Sequence, residues 1–253
     1  MVRGLDVFRR HFAGHTDQLV LIGGTAATLA MAEAGLDFRA TKDLDIVLHI
    51  EALKPSFSEV FWRFVEAGGY DIRQASGSGK PVLYRFQTPA DEHYPVMLEL
   101  FSRAPDALLP AEGSHLTPIP FEEAVASLSA ILLDPEYYAW IVTTRTETDG
   151  LPRVGPDGLI PLKASAWLDL GARQRRGEPV DSRHIRKHAN DVLRLSQLLA
   201  PSARMDPSPR IRQDLARFLR GIAADSTIEP AALGIPSSRA ALVERLARAY
   251  GLT

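Results

Sequence analysis

Asp43-Leu44-Asp45 opens an apolar run, Ile46-Val47-Leu48. Side chains two residues apart on a strand share a face, so both carboxylates point one way while Leu44 and Ile46 point the other. Acids at the mouth of an apolar strand are costly to desolvate. Two of them repel, and one takes up a proton unless a cation neutralises the pair. A hard divalent ion such as Mg²⁺, which prefers oxygen ligands, is the natural neutraliser. The same ion bridges to a nucleotide's phosphates and stabilises charge during an in-line displacement. A third carboxylate, Glu99, lies inside the apolar run Val96-Met97-Leu98-Glu99-Leu100-Phe101. It is the candidate to complete a metal set with Asp43 and Asp45 and to assist deprotonation of an attacking hydroxyl. The competing readings for Glu99 are an exposed strand face or an ion pair with Arg85 or Arg103.

Upstream, Leu19-Val20-Leu21-Ile22 runs into Gly23-Gly24-Thr25 and then an Ala-, Leu- and Met-rich stretch. A strand entering a helix through glycines leaves backbone N–H groups open at the helix start, where a phosphate can approach without a Cβ in the way. Thr25 adds a hydroxyl donor or a cap.

The elements that must hold these groups follow from periodicity. Strands are expected over 18–22, 43–50, 82–87 and 96–101, the last two as a hairpin with a longer loop. Helices are expected over 5–14, 25–34 and 55–67. Residues 146–161 are dense in Gly and Pro and read as a loop, and 121–133 is apolar. Beyond it the pattern turns helical: 161–176 with Pro161 near its first turn, 181–199 with Asp181 as N-cap, 209–222 and 238–249. The reading is an α+β fold. A mixed sheet flanked by helices occupies residues 1–118, and a mostly helical domain occupies 119–253.

Composition is that of an ordinary globular chain of 253 residues, with 45% apolar and 24% charged residues. There is no cysteine, which excludes disulfides and thiolate metal sites. No apolar run is long enough to span a membrane, and the N-terminus lacks the apolar core of a signal peptide, so a cytoplasmic protein is expected. Net charge is −2, but residues 161–225 carry 13 Lys and Arg against 7 Asp and Glu, a balance that favours an anionic ligand or a solvated basic face. Gly77-Ser78-Gly79-Lys80 is not a P-loop, because Pro81 follows the lysine and a strand follows that. His184 and His188 have a metal-ligand spacing but no third partner in their motif, and no serine sits in a nucleophile elbow. Tyr137-Tyr138-Ala139-Trp140 reads as core packing ahead of a base-stacking platform.

Ile22-Gly23-Gly24-Thr25 followed by Arg39-Ala40-Thr41-Lys42-Asp43-Leu44-Asp45 resembles the polymerase-β-like nucleotidyltransferase superfamily, and within it the abortive-infection AbiEii-like nucleotidyltransferase toxins. The stretches around Leu162-Lys163-Ala164 and Arg186-Lys187-His188-Ala189-Asn190-Asp191 resemble that family's later motifs, with His188 where toxin branches carry an acid. The likeness covers most of residues 18–200. It implies an Mg²⁺-dependent transfer of a nucleoside monophosphate from an NTP to an acceptor hydroxyl, with release of pyrophosphate. It implies that Gly23, Gly24 and Thr25 seat phosphates, that Lys163 reaches the triphosphate from the helical half, and that Asp191 supports it. The acceptor it suggests is RNA, such as a tRNA end, and the partner is a cognate antitoxin. A small hydroxyl compound such as an aminoglycoside, or a protein side chain, is the alternative acceptor. A non-catalytic nucleotide- or partner-binding protein is the alternative of another class. Without the likeness, Lys163 reads as a surface lysine and Asp191 as an acid pairing with Lys187 or Arg194.

Overall fold

Apolar side chains recurring two apart along β-strands gather on one face of a sheet. The computed structural model describes residues 2–49, 52, 54–75, 82–102, 117–118 and 134–252. Its chain contacts form two units.

The first unit holds an eight-stranded sheet. Its strands are β1 (Leu19–Ile22), β2 (Asp43–Leu48), β3 (Asp71–Ala75), β4 (Val82–Gln87), β5 (Met97–Ser102), β6 (Thr117–Pro118), β7 (Arg145–Thr148) and β8 (Leu151–Val154). Their order is β6-β3-β4-β5-β2-β1-β8-β7. The sheet is mixed: β2 runs antiparallel to β1 but parallel to β5, and β4 and β5 form the expected antiparallel hairpin. Leu19, Leu21, Leu44, Ile46, Leu48, Phe86, Leu98 and Leu100 make one face. Helices α1 (Leu5–His11) and α3 (Pro55–Gly68) cover it with Phe8, Phe57, Phe61 and Phe64, joined by Phe12. Pro55 at the first turn of α3 and Gly69 in the left-handed conformation beyond its end delimit that helix. Helix α2 (Gly23–Glu33) leaves β1 directly.

Part of the expected loop over 146–161 is instead the hairpin β7–β8, which adds to the sheet through β8 beside β1. Its turn is Asp149-Gly150, with φ of 51° and 71°. Two successive positive φ values match the right-handed twist of the flanking strands, and Asp-Gly is the dipeptide that tolerates them. Gly and Pro density alone does not separate such a hairpin from a loop. Strands β3 and β6 also join the sheet without having been expected. The apolar stretch 121–133 and the Gly77–Lys80 turn lie outside the described residues.

The second unit is helical: α4 (Pro135–Thr143), α5 (Pro156–Arg175), α6 (Ser182–Ser196), α7 (Pro209–Ala224) and α8 (Arg239–Ala249). Side chains cap four of the five. Asp134 accepts from the Glu136 and Tyr137 amides, and Asp181, Ser208 and Ser238 cap α6, α7 and α8. Tyr137, Tyr138 and Trp140 are buried in α4, as the packing alternative expected. Trp167 of α5 meets Phe218 of α7 edge-on, with ring centroids 5.3 Å apart.

Helix α5 corrects another expectation. It begins at Pro156, so Pro161 stands inside it rather than near its start. A proline there cannot donate to the carbonyl four residues earlier, which belongs to Asp157. The Tyr250 hydroxyl donates to that same carbonyl at 2.6 Å. The helix thus continues through its proline because a side chain from beyond α8 replaces the missing amide. Burial, with Asp157 nearby, pushes the Tyr250 phenol well above its ordinary range, so it stays a donor.

Tyr250→Phe strands the Asp157 carbonyl and is expected to lower stability by about 1–3 kcal/mol in urea denaturation. In a Pro161→Ala background the restored amide takes over the carbonyl, and Tyr250→Phe is expected to cost clearly less.

Candidate active site

Asp45 is the centre of a row of paired residues. Across the sheet it stands opposite Ile22 on β1 and opposite Glu99 on β5, and Glu99 stands opposite Arg85 on β4. Directly paired residues on neighbouring strands share a face, so Asp45, Glu99 and Arg85 lie on the side away from the phenylalanine core. Asp43, two residues before Asp45, shares that face. Both aspartates are partly exposed.

The β1–α2 turn is shaped around them. Gly23 has φ +67°, and a Cβ on it would lie 1.7 Å from the Asp45 Oδ2. The Gly24 amide lies 3.4 Å from the same oxygen. Thr25 is buried, and its hydroxyl donates to the Asp43 carbonyl at 2.7 Å. The glycine thus makes room for the chain's own carboxylate, and the threonine hydroxyl ties the helix start to the first residue of β2. The expectation had been that these three residues meet phosphate. Thr41 and Arg39 also border the turn: a Cβ at Gly24 would lie 2.6 Å from the Thr41 Oγ1 and 3.5 Å from an Arg39 Nη. No role was assigned to either residue on sequence, although both stand in the Arg-x-Thr-x-Asp run.

Glu99 and Arg85 are 8% and 6% exposed. The Arg85 Nε and Nη2 both donate to the Glu99 Oε1, at 2.9 and 2.6 Å. The ion-pair alternative for Glu99 is therefore present in the structure, on the same face as the aspartates. Among the described residues, no three His, Cys, Asp or Glu side chains group closely enough to hold a metal ion. His184 and His188 accordingly form no such group. The donor set that does fit Mg²⁺ is the Asp43–Asp45 pair. This ion commonly takes one or two carboxylates and fills its octahedron with water and substrate phosphate.

In the second unit, the Lys163 Nζ lies 3.2 Å from the Asp191 Oδ2, with side-chain exposures of 7% and 0%. Neither the solvated lysine nor the surface acid describes them. Pairing stabilises two charges held away from water, and each alone would be costly there. Lys163 is the eighth residue of α5, past the first turn, so the positive end of the helix dipole acts on it only weakly. The pair joins α5 to α6 within a core that includes Leu159, Ile160, Leu193 and Leu195.

The structure thus sets an Asp-x-Asp strand beside the Gly-Gly turn within a mixed sheet. The family model for the nucleotidyl transferase AbiEii toxin of type IV toxin–antitoxin systems matches residues 6–242. The chain belongs to that family, and the match reaches past residue 200, where the likeness read from motifs had ended. No curated protein matches. Among solved structures, MenT4, a nucleotidyltransferase toxin from Mycobacterium tuberculosis H37Rv, aligns over 97% of this chain and 81% of its own at 18% identity. The TM-score of that alignment is 0.27, too low to add to the family assignment. Among the described residues no helix is long and apolar enough to cross a membrane.

Two stability tests follow from this geometry. Gly23→Ala forces a Cβ onto the Asp45 carboxylate and is expected to destabilise by about 1–3 kcal/mol. Combining it with Asp45→Ala should cost less than the two single changes added, as a double-mutant cycle by thermal unfolding will show. Lys163→Met leaves Asp191 buried without its cation and is expected to cost about 3–5 kcal/mol, much of it recovered in Lys163→Met/Asp191→Leu.

Proposed function

We propose that this chain transfers a nucleoside monophosphate from an NTP to an acceptor hydroxyl, releasing pyrophosphate, with Mg²⁺ held by Asp43 and Asp45. The observation that carries this is the pair of partly exposed carboxylates on one sheet face, with Gly23 shaped around one of them, in a chain of the AbiEii nucleotidyltransferase family. The ion, when bound, supplies Lewis-acid stabilisation of the phosphates and lowers the pKa of the attacking hydroxyl. Asp43 and Asp45 would bind it through their carboxylates, with the Gly24 amide beside the Asp45 Oδ2 and the Thr25 hydroxyl holding the backbone at Asp43. The Gly23-Gly24-Thr25 backbone, at the start of a helix, is the proposed seat for phosphate oxygens. Lys163, paired with Asp191, is proposed to meet nucleotide phosphate. The hydroxyl oxygen attacks the α-phosphorus, its proton leaves to solvent or a nearby carboxylate, and the bond to the β,γ-diphosphate breaks.

RNA, such as a tRNA end, is the proposed acceptor. The excess of Lys and Arg over residues 161–225 supports an anionic acceptor of this kind. The proposed setting is the cytoplasm, with a cognate antitoxin, the partner that a toxin–antitoxin family implies.

The test incubates the protein with each α-labelled NTP, Mg²⁺ and total RNA. Label is expected in RNA, and Asp43→Ala or Asp45→Ala is expected to reduce it by a factor of about 100 or more. Label in protein or in small hydroxyl compounds alone would replace the RNA acceptor. Transfer that survives both substitutions would end the catalytic assignment.

A further inference from the structure

Asp45, Glu99 and Arg85 occupy one row on three neighbouring strands. Adjacent strands stand about 4.8 Å apart, so Glu99 is within reach of both its neighbours. It is engaged by the cation: two Arg85 donors converge on one of its oxygens, in a setting almost closed to water. Asp45 is meanwhile drawn the other way along the sheet, toward the Gly23-Gly24 turn. No three-carboxylate group results among the described residues.

We propose that Arg85 is a positioning residue that withholds Glu99 from the metal set, so that the site loads a divalent ion through Asp43 and Asp45 alone and leaves the remaining coordination to the nucleotide's phosphates. This rests on the reading of Asp43 and Asp45 as metal ligands. The physical reason is charge count. Three unpaired carboxylates on one face attract a divalent ion strongly even without substrate, whereas two hold it weakly until phosphate oxygens arrive. Arg85 offsets the third charge where it stands. Metal loading is thereby tied to nucleotide arrival. A guanidinium suits the task better than an ammonium, because it stays charged when buried and its planar array of donors lets two N–H groups reach one carboxylate oxygen together.

Mn²⁺, read by its EPR signal in the absence of nucleotide, is the probe. Arg85→Met releases Glu99 beside Asp45 and is expected to tighten Mn²⁺ binding about tenfold over wild type. Glu99→Gln is expected to change wild-type affinity by less than about threefold, and to abolish the gain when combined with Arg85→Met. Mn²⁺ affinity in Arg85→Met equal to or below that of wild type overturns the proposal. So does a loss of about tenfold or more in Glu99→Gln, which would make Glu99 a ligand in its own right. Should Arg85→Met fail to fold by circular dichroism, Glu99→Gln alone decides. Asp45→Asn separates the two levels: if it leaves Mn²⁺ binding intact, the metal assignment of the aspartates fails, whatever Glu99 does.

Discussion

Like charges on one face of a sheet are the constraint around which the first unit is built. Asp43, Asp45 and Glu99 share a face because strands alternate with period two and because β2 and β5 pair in register, Asp45 against Glu99. That register is held by the opposite face. Leu44, Ile46, Leu98 and Leu100 must meet the phenylalanines of α1 and α3, and a slip by one residue would bury the carboxylates among them. The aromatic core and the acidic face are two consequences of one alternation. Each acid then finds a separate partner: Thr25 holds the backbone at Asp43, the Gly24 amide approaches Asp45, and Arg85 takes Glu99. The repulsion is divided among neighbours pointing in different directions.

The helical unit meets a related difficulty in another way. Lys163 and Asp191 are a buried cation and a buried anion, and they answer each other directly. Next to them in the chain, Pro161 breaks the hydrogen-bond ladder of α5, and Tyr250 mends it from a distant part of the sequence. Tyr137 adds a second such link, donating to the buried Asp214, which Arg210 and Arg217 also approach. Asp191, Asp214 and the Asp157 carbonyl each take a partner from a different helix or from beyond one. That fixes the rotation of α5, and with it the direction in which Lys163 leaves the helix.

These two arrangements give physical content to membership in a family of nucleotidyltransferase toxins. Phosphoryl transfer asks the protein for little covalent chemistry and much positioning of charge. The carboxylates on one face of the sheet and the Lys163–Asp191 pair are charged groups held in fixed places by their neighbours. His188, where an acid stands in the motif's toxin form, lies in α6, the helix that also carries Asp191. The family match extends across it regardless.

Most of the sheet's central strands and the later helices could be read from periodicity, because apolar spacing and capping residues are local. The caps at Asp181 and Ser238 and the β4–β5 hairpin are of this kind. The β7–β8 hairpin was masked by its own glycines and prolines, although Asp149-Gly150 carried the turn signal. Sequence by itself determined which residues are chemically capable: two acids at a strand mouth, a third inside a strand, a glycine pair, a lysine and an acid in the helical half. Only the tertiary structure decided their partners. Hydrogen bonds between residues far apart in the chain leave no periodic trace, so nothing local shows that the Gly23 space holds the Asp45 carboxylate. Nor does it show that Tyr250 stands in for the Pro161 amide, or that Arg85 takes Glu99. Those choices follow from strand register and helix rotation, which the packed core sets for the chain as a whole.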